Sequence, residues 1–351
     1  MRIIDSREEI AKIDKENVLG SIEALPDQLL HAWQDASKIS VPESYKSIKN
    51  IVMTGMGGSG LGARVIESLF ADSLKYPLIK INDYQLPEWV NEDTLVICSS
   101  YSGETEETIA NVKEAIKRKA KWMAIGAGGT LIKMAQEYKV PYYQIQPKYN
   151  PSNQPRMAIG YSIIGQLVLA AKAGIISFDK DDLEKAVSAM KTIVDKDQAK
   201  QPALRMKDKI IFFLAARHLI GAAHTINNQL NENTKNFSAD FVIPELNHHL
   251  MEGLKYPSKN PSNLFAFLIK SPLYPERIRQ RFEITEDVIW KNKIESYSFE
   301  AKAETKLAQV FELIQFGTYV DFYLSILYKQ NPAPIPWVDY FKVKLGQPLG
   351  K

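Results

Sequence analysis

The chain has 351 residues, a formal net charge of +3 and a single cysteine, Cys98. That length suits two domains with sizeable cores, and so small a charge gives no argument for nucleic acid or an acidic membrane as partner. One cysteine excludes an intramolecular disulfide, and the hydrophobic share of 45% with a charged share of 24% is that of a globular protein.

Taken in order, Met1 to Glu16 is charged throughout and has no leader-like apolar stretch. No apolar run reaches spanning length, so a cytoplasmic protein that does not enter membranes is expected. Residues 1–45 read as helices. Asp14 to Trp33 carries Val18, Ile22, Leu25 and Leu29 at helical spacing, and Pro26 either kinks this run or starts a second helix.

Residues 46–175 read as an α/β unit, with strands expected at 50–54, 78–82, 94–98, 121–125 and 141–145 alternating with helices. Ile51-Val52-Met53 runs into Gly55-Met56-Gly57-Gly58-Ser59-Gly60, then into a helix with Val65, Ile66, Leu69 and Phe70 on one face. Glycines let a ligand approach the backbone closely. The pattern overlaps the dinucleotide fingerprint, with Asp83 a late candidate for its acidic residue. That reading leaves the next loop unexplained.

Thr94 to Cys98 is a buried-type strand followed by Ser99-Ser100-Tyr101-Ser102-Gly103-Glu104-Thr105, and then by a helix that acids open and bases close. Strand, hydroxyl-rich loop and helix N-terminus together predict an anion cradle, with Ser100, Ser102 and Thr105 as added donors. The bland alternative is a well-capped turn. Trp122 to Gly129 is a further strand ending in glycines, read as a tight turn. Arg156 then opens an apolar helix, Met157 to Ala171, that should be buried all round. An arginine at a helix N-terminus is misplaced against the dipole unless an anion sits near it. The alternative is a solvated arginine.

Residues 176–207 are polar and helical and read as a connector. Beyond them Lys209 to Leu214 and Leu264 to Ile269 are strands. Between these lie Gln229-Leu230-Asn231-Glu232-Asn233-Thr234-Lys235 and Pro244-Glu245-Leu246-Asn247-His248-His249. Adjacent histidines rarely ligate one ion, since metal sites prefer spacings such as i, i+4 on a helix, so no metal is expected. The tail is a long helix, Thr305 to Lys329, then Asn331-Pro332-Ala333-Pro334, then a short helix from Trp337 to Leu345.

Gly57-Gly58-Ser59-Gly60 and Ser100-Tyr101-Ser102-Gly103-Glu104-Thr105 resemble the two sugar-phosphate signatures of the sugar isomerase (SIS) domain. Pro155-Arg156 followed by Gly160-Tyr161, the Asn-Glu-Asn run, the Asn-His pair and the Asn-Pro-x-Pro turn extend the likeness over nearly the whole chain. Together they resemble the bifunctional phosphoglucose/phosphomannose isomerase family, a branch of SIS proteins. The resemblance implies an α/β fold of two SIS-type doubly wound domains, each a mainly parallel sheet flanked by helices. The expected boundaries are 1–45 for an N-terminal helical segment, 46–175 for the sugar-phosphate domain, 176–207 for a linker and 208–351 for the second domain. The substrate is then a small sugar phosphate, bound by Gly57, Gly58, Ser59, Ser100, Ser102, Thr105 and Arg156. Arg156 also serves catalysis, Glu232 is the base, His248 acts on the sugar ring, and Lys342 (or Lys344) takes part in acid–base work. Glu245 and Glu252 compete locally with Glu232. The resemblance further implies a homodimer in which the histidine reaches the partner's site, and chemistry without a cofactor or metal. Ala215-Ala216-Arg217 stands where a second glycine loop would begin, so one phosphate site per chain is expected. The runner-up is a non-catalytic SIS regulator, which has no need of Glu232, His248 and a C-terminal lysine together.

Overall fold

The computed structural model describes residues 2–193 and 196–346. They pack as two compact units, Glu23–Leu183 with Ile335–Lys351 (the N-unit) and Met1–Ile22 with Glu184–Pro334 (the C-unit). This partition crosses the boundaries read from composition. Gln315 Nε2 donates to the Ile22 carbonyl at 3.0 Å, and Lys200 Nζ lies 3.2 Å from Asp5. The first helical residues therefore complete the core of the later half. The polar stretch after residue 175 forms helices Lys180–Thr192 and Lys196–Met206. The second of these packs along Lys306–Leu327 with Ala199, Ala203 and Met206 buried.

The N-unit sheet contains β1 (Asn50–Thr54), β2 (Leu78–Ile81), β3 (Thr94–Ser99), β4 (Lys121–Gly126) and β5 (Tyr142–Gln144), in the order β2-β1-β3-β4-β5. All pairs are parallel, and the register sets Val52 beside Val96 and Val96 beside Trp122. Successive side chains of a strand leave by opposite faces, so the apolar runs supply two cores. On one face Val52, Val96, Cys98, Trp122 and Ala124 meet Val112 and Ala115 of helix Glu106–Lys117 and Leu131 and Ala135 of helix Gly129–Glu137. Burial pushes the Cys98 thiol far up, so it packs as a small hydrophobe. On the other face lies helix Ile159–Lys172, buried from Ile159 through Ala170 and packed against helices Leu25–Ala36 and Leu61–Leu69. Pro26 sits in the first turn of Leu25–Ala36, so it starts that helix.

The C-unit sheet holds β6 (Ile210–Ala215), β7 (Ser238–Val242), β8 (Leu264–Lys270) and β9 (Glu295–Glu300), parallel and ordered β7-β6-β8-β9. Helix Lys306–Leu327 is the centre of this unit. By length and hydropathy it would fit a membrane span, yet 94% of that window is buried within the protein, so it is a core helix. It packs against Ile220–Thr234 closely enough that a Cβ on Gly317 would lie 2.4 Å from Ile226.

Candidate active site

In open parallel sheets, ligands bind beyond the carboxyl ends of strands where the chain reverses direction across the sheet. In the N-unit that point lies between β1 and β3, and the two loops singled out from the sequence leave from there. Gly57–Gly60 forms a short 3₁₀ turn feeding helix Leu61–Leu69, and Gly57 has φ +49°, a left-handed conformation that glycine adopts without strain. Ser59 Oγ accepts from the Tyr101 amide at 2.8 Å, so it bridges the two loops. Ser100 Oγ lies 2.8 Å from Thr105 Oγ1 and accepts from the Gly103 amide at 3.0 Å. Ser102 Oγ accepts from the Glu104 amide at 3.3 Å.

Thr105 stands at the N-cap of helix Glu106–Lys117, but its side chain makes no cap bond; nor does a side chain cap Leu61–Leu69 after Gly60. Ser100 and Thr105 pair with each other, while the hydroxyls of Ser59, Ser100 and Ser102 accept from amides of the serine loop, so none of them caps either helix. Both helices thus bring their dipoles to one crevice without a capping side chain, the arrangement that favours an anion.

Arg156 borders the glycine loop. It sits in a 3₁₀ turn, Pro155–Met157, just before helix Ile159–Lys172, and a Cβ on Gly58 would lie 3.3 Å from its Cα. It is only 3% exposed, which rules out the alternative of a solvated arginine. Burying a guanidinium requires hydrogen-bond partners, and Arg156 Nη1 donates to Gln154 Oε1 at 3.0 Å. The loop itself is tied at its base. Gln28 Nε2 donates to the Tyr149 carbonyl at 3.0 Å and to the Met157 carbonyl at 2.8 Å.

In the C-unit, Glu232 lies in the last turn of helix Ile220–Thr234 and is partly buried. Its neighbour Asn231 donates to the Ser238 hydroxyl at 2.9 Å, while Asn227 and His224 contact Asp240 at 3.0 and 2.9 Å. This polar ladder locks the helix to β7. Lys235 Nζ donates to the carbonyls of Asn331 and Pro332 at 3.2 and 3.1 Å, bringing the Asn-Pro-x-Pro turn to the Asn-Glu-Asn run.

His248 and His249 are exposed, on the turn that follows β7. Asn247 anchors this turn, donating to Thr285 Oγ1 at 2.8 Å and accepting from Arg281 at 3.2 Å. Glu232 sits at the amino end of β7 and His248 beyond its carboxyl end. Five residues of strand separate those ends by about 16 Å, so the fold does not bring the two together within one unit.

Lys342 is half-buried and Lys344 exposed on helix Pro336–Lys344, which has no buried residue. Among the described residues no group of three or more His, Cys, Asp or Glu is placed to hold a metal ion.

A family model described as the bacterial phospho-glucose isomerase C-terminal SIS domain matches residues 195–345. A bifunctional phosphoglucose/phosphomannose isomerase from Caldicellulosiruptor bescii is 33% identical over 341 residues, covering 93% of this chain and 98% of that one. The chain belongs to the bifunctional phosphoglucose/phosphomannose isomerase family. The fold is shared with solved structures at much lower sequence identity. A hypothetical protein from Thermus thermophilus superposes with a TM-score of 0.76 at 18% identity, covering 98% of this chain and 94% of that one. The C-terminal domain of a glucosamine-fructose-6-phosphate aminotransferase from Francisella tularensis gives 0.72 at 12% identity, over 90% and 97%.

In this member of the isomerase family, Glu232, His248 and Lys342 all fall inside the 195–345 match. Two supporting residues escaped the sequence reading. Gln166 is buried on helix Ile159–Lys172, and its Nε2 lies within reach of the Ser59 carbonyl (3.0 Å), Ser99 Oγ (3.3 Å) and Ser162 Oγ (3.1 Å). It thereby tethers both loops from behind. The signal was a lone amide in an otherwise apolar helix. Gln28 gave a similar signal, on the apolar face of its helix beside Leu25, Leu29 and Ala32.

Proposed function

We propose that the protein interconverts glucose 6-phosphate and fructose 6-phosphate, and likewise mannose 6-phosphate, by moving a proton between C2 and C1 through a cis-enediol. It is a sugar-phosphate isomerase. The observation that carries the reading is the crevice between β1 and β3. There two helix N-termini without side-chain caps meet, Ser59 bridges the loops, and a buried arginine borders them.

In this proposal the phosphate is anchored by Ser59, Ser100, Ser102 and Thr105 with the backbone of Gly57 and Gly58. Arg156 stabilises charge that develops on the enediolate. Glu232 carries the proton, and partial burial suits a carboxylate to that task. His248 and Lys342 serve ring opening. In this reading the N-unit, which carries both phosphate loops and Arg156, is the sugar-phosphate domain, and the C-unit, which carries Glu232 and His248, is the second SIS domain. The separation of Glu232 from His248 along β7 supports a homodimer in which each histidine serves its partner's site. The setting proposed is the cytoplasm.

The test is a coupled assay of fructose 6-phosphate interconversion with EDTA present. Turnover that survives exhaustive chelation is expected. Activity lost to EDTA and restored by zinc would overturn the mechanism. Stabilisation by sugar phosphates without turnover would instead identify a non-catalytic regulator. Mixing inactive Glu232→Gln and His248→Ala proteins should restore activity if the histidine acts across a dimer.

A further inference from the structure

The glycines that end β4 read as a tight turn, and the structure gives that turn a second task. The serine loop rests on it. The Ser100 amide donates to the Ile125 carbonyl at 2.9 Å, the Ala127 amide to the Tyr101 carbonyl at 2.8 Å, and the Leu131 amide to the Gly103 carbonyl at 3.0 Å. The approach is close enough that a Cβ on Gly103, at φ +73°, would fall 1.9 Å from the Gly128 carbonyl oxygen, and one on Gly129 2.5 Å from the Ser102 carbonyl oxygen.

These ties are made by backbone. Glu104 adds a side-chain tie, whose carboxylate accepts from the Thr130 amide and from the Thr130 hydroxyl, both at 2.8 Å. Thr130 and Leu131 lie in the first turn of helix Gly129–Glu137, so the serine loop takes up amides at that N-terminus. This helix therefore offers its positive end to Glu104 rather than to a ligand. Its dipole offsets a carboxylate that would otherwise repel a phosphate one loop away.

We propose that Glu104 is a positioning residue for sugar-phosphate binding: by docking on Thr130 it holds the hydroxyl loop of Ser100, Ser102 and Thr105 in its anion-binding shape. The inference rests on the phosphate-anchoring role proposed above for that loop. Without the carboxylate the loop keeps its backbone ties but can turn about Gly103, and a misplacement of about 1 Å costs on the order of a hundredfold in a positioned site. Anchoring acts equally on bound substrate and transition state, so its loss belongs in KM rather than kcat.

The experiment measures KM and kcat for fructose 6-phosphate, and the inhibition constant of inorganic phosphate, in the full chain and in Glu104→Ala, Glu104→Gln and Thr130→Val. Glu104→Ala should raise KM and the phosphate constant together by about tenfold or more with kcat near the parent's. Glu104→Gln should restore both, because its Oε1 can accept from the Thr130 amide while its Nε2 donates to the hydroxyl. If Glu104→Ala does not fold, Thr130→Val removes one of the two bonds and should raise the same constants several-fold. Unchanged constants in these variants of a phosphate-inhibited parent overturn the proposal alone. A Glu104→Gln enzyme as impaired as Glu104→Ala also overturns it, because charge rather than docking then matters. A parent that phosphate does not inhibit overturns the anchoring role, and this proposal with it.

Discussion

Replacing Asp321 by Asn should stabilise the protein, and by more as the pH rises. Asp321 is 1% exposed in the middle of the core helix Lys306–Leu327, and neither carboxylate oxygen has a hydrogen-bond partner. Burial pushes its carboxyl well above the usual range, so the folded protein holds it protonated where the unfolded chain ionises it. For a group whose folded value is raised, the stability contribution is complete below the unfolded value, about 3.9, and is lost as pH climbs towards the folded one. Across that window each pH unit costs about 1.4 kcal/mol. At pH 7, three units above the unfolded value, a carboxyl still neutral in the folded state has cost about 4 kcal/mol, the ceiling of the effect. Asn keeps the shape of the neutral acid and cannot ionise. Denaturant unfolding of parent and Asp321→Asn at half-unit steps from pH 4 to 8 should give near-equal stability at the acid end. The variant should then lead by a margin growing at up to that slope. A constant difference across the series, or a parent that gains on the variant with rising pH, would refute the assignment.

Glu232→Gln keeps size and hydrogen bonding but cannot take a proton. Turnover should fall by roughly two to four orders of magnitude with KM near parental, read beside deuterium wash-in at C2; near-parental turnover moves the base to Glu245 or Glu252. Ser102→Ala should weaken substrate binding with little change in kcat, and inorganic phosphate should compete with substrate in the parent, both measured by steady-state kinetics. Gly103→Ala must move its new Cβ away from the Gly128 carbonyl oxygen, 1.9 Å off, by more than about 1 Å, and also forces an L residue into the left-handed region. Isomerase activity should drop by about a hundredfold or more, and a variant with parental KM and thermal midpoint would show that the two loops can part freely.

The strand–loop–helix pairs around Gly57 and Ser100 were legible because each is local. An apolar run, a glycine or hydroxyl cluster and a helix opening with its charges in the order the dipole prefers all lie within a few turns of chain. The long helix Lys306–Leu327 was legible for the same reason. β9 escaped, since Glu295-Ser296-Tyr297-Ser298-Phe299-Glu300 pairs along only one side and is half-exposed, so it has no continuous apolar run. Sequence also placed Arg156 before a buried helix but left its own burial open. That was decided by Gln28 and Gln154, which hold the loop carrying it. In the same way β7, half-buried and not read as a strand from the sequence, sets Glu232 and His248 at its opposite ends, although only fifteen residues part them in the chain. Which unit the first and last residues join, and which backbone atoms Gln166 and Glu104 reach, depend on partners far away in sequence. Periodicity and dipoles act over one or two turns and are written in neighbouring residues, whereas burial of a charge or an amide depends on atoms that only packing brings within 3 Å.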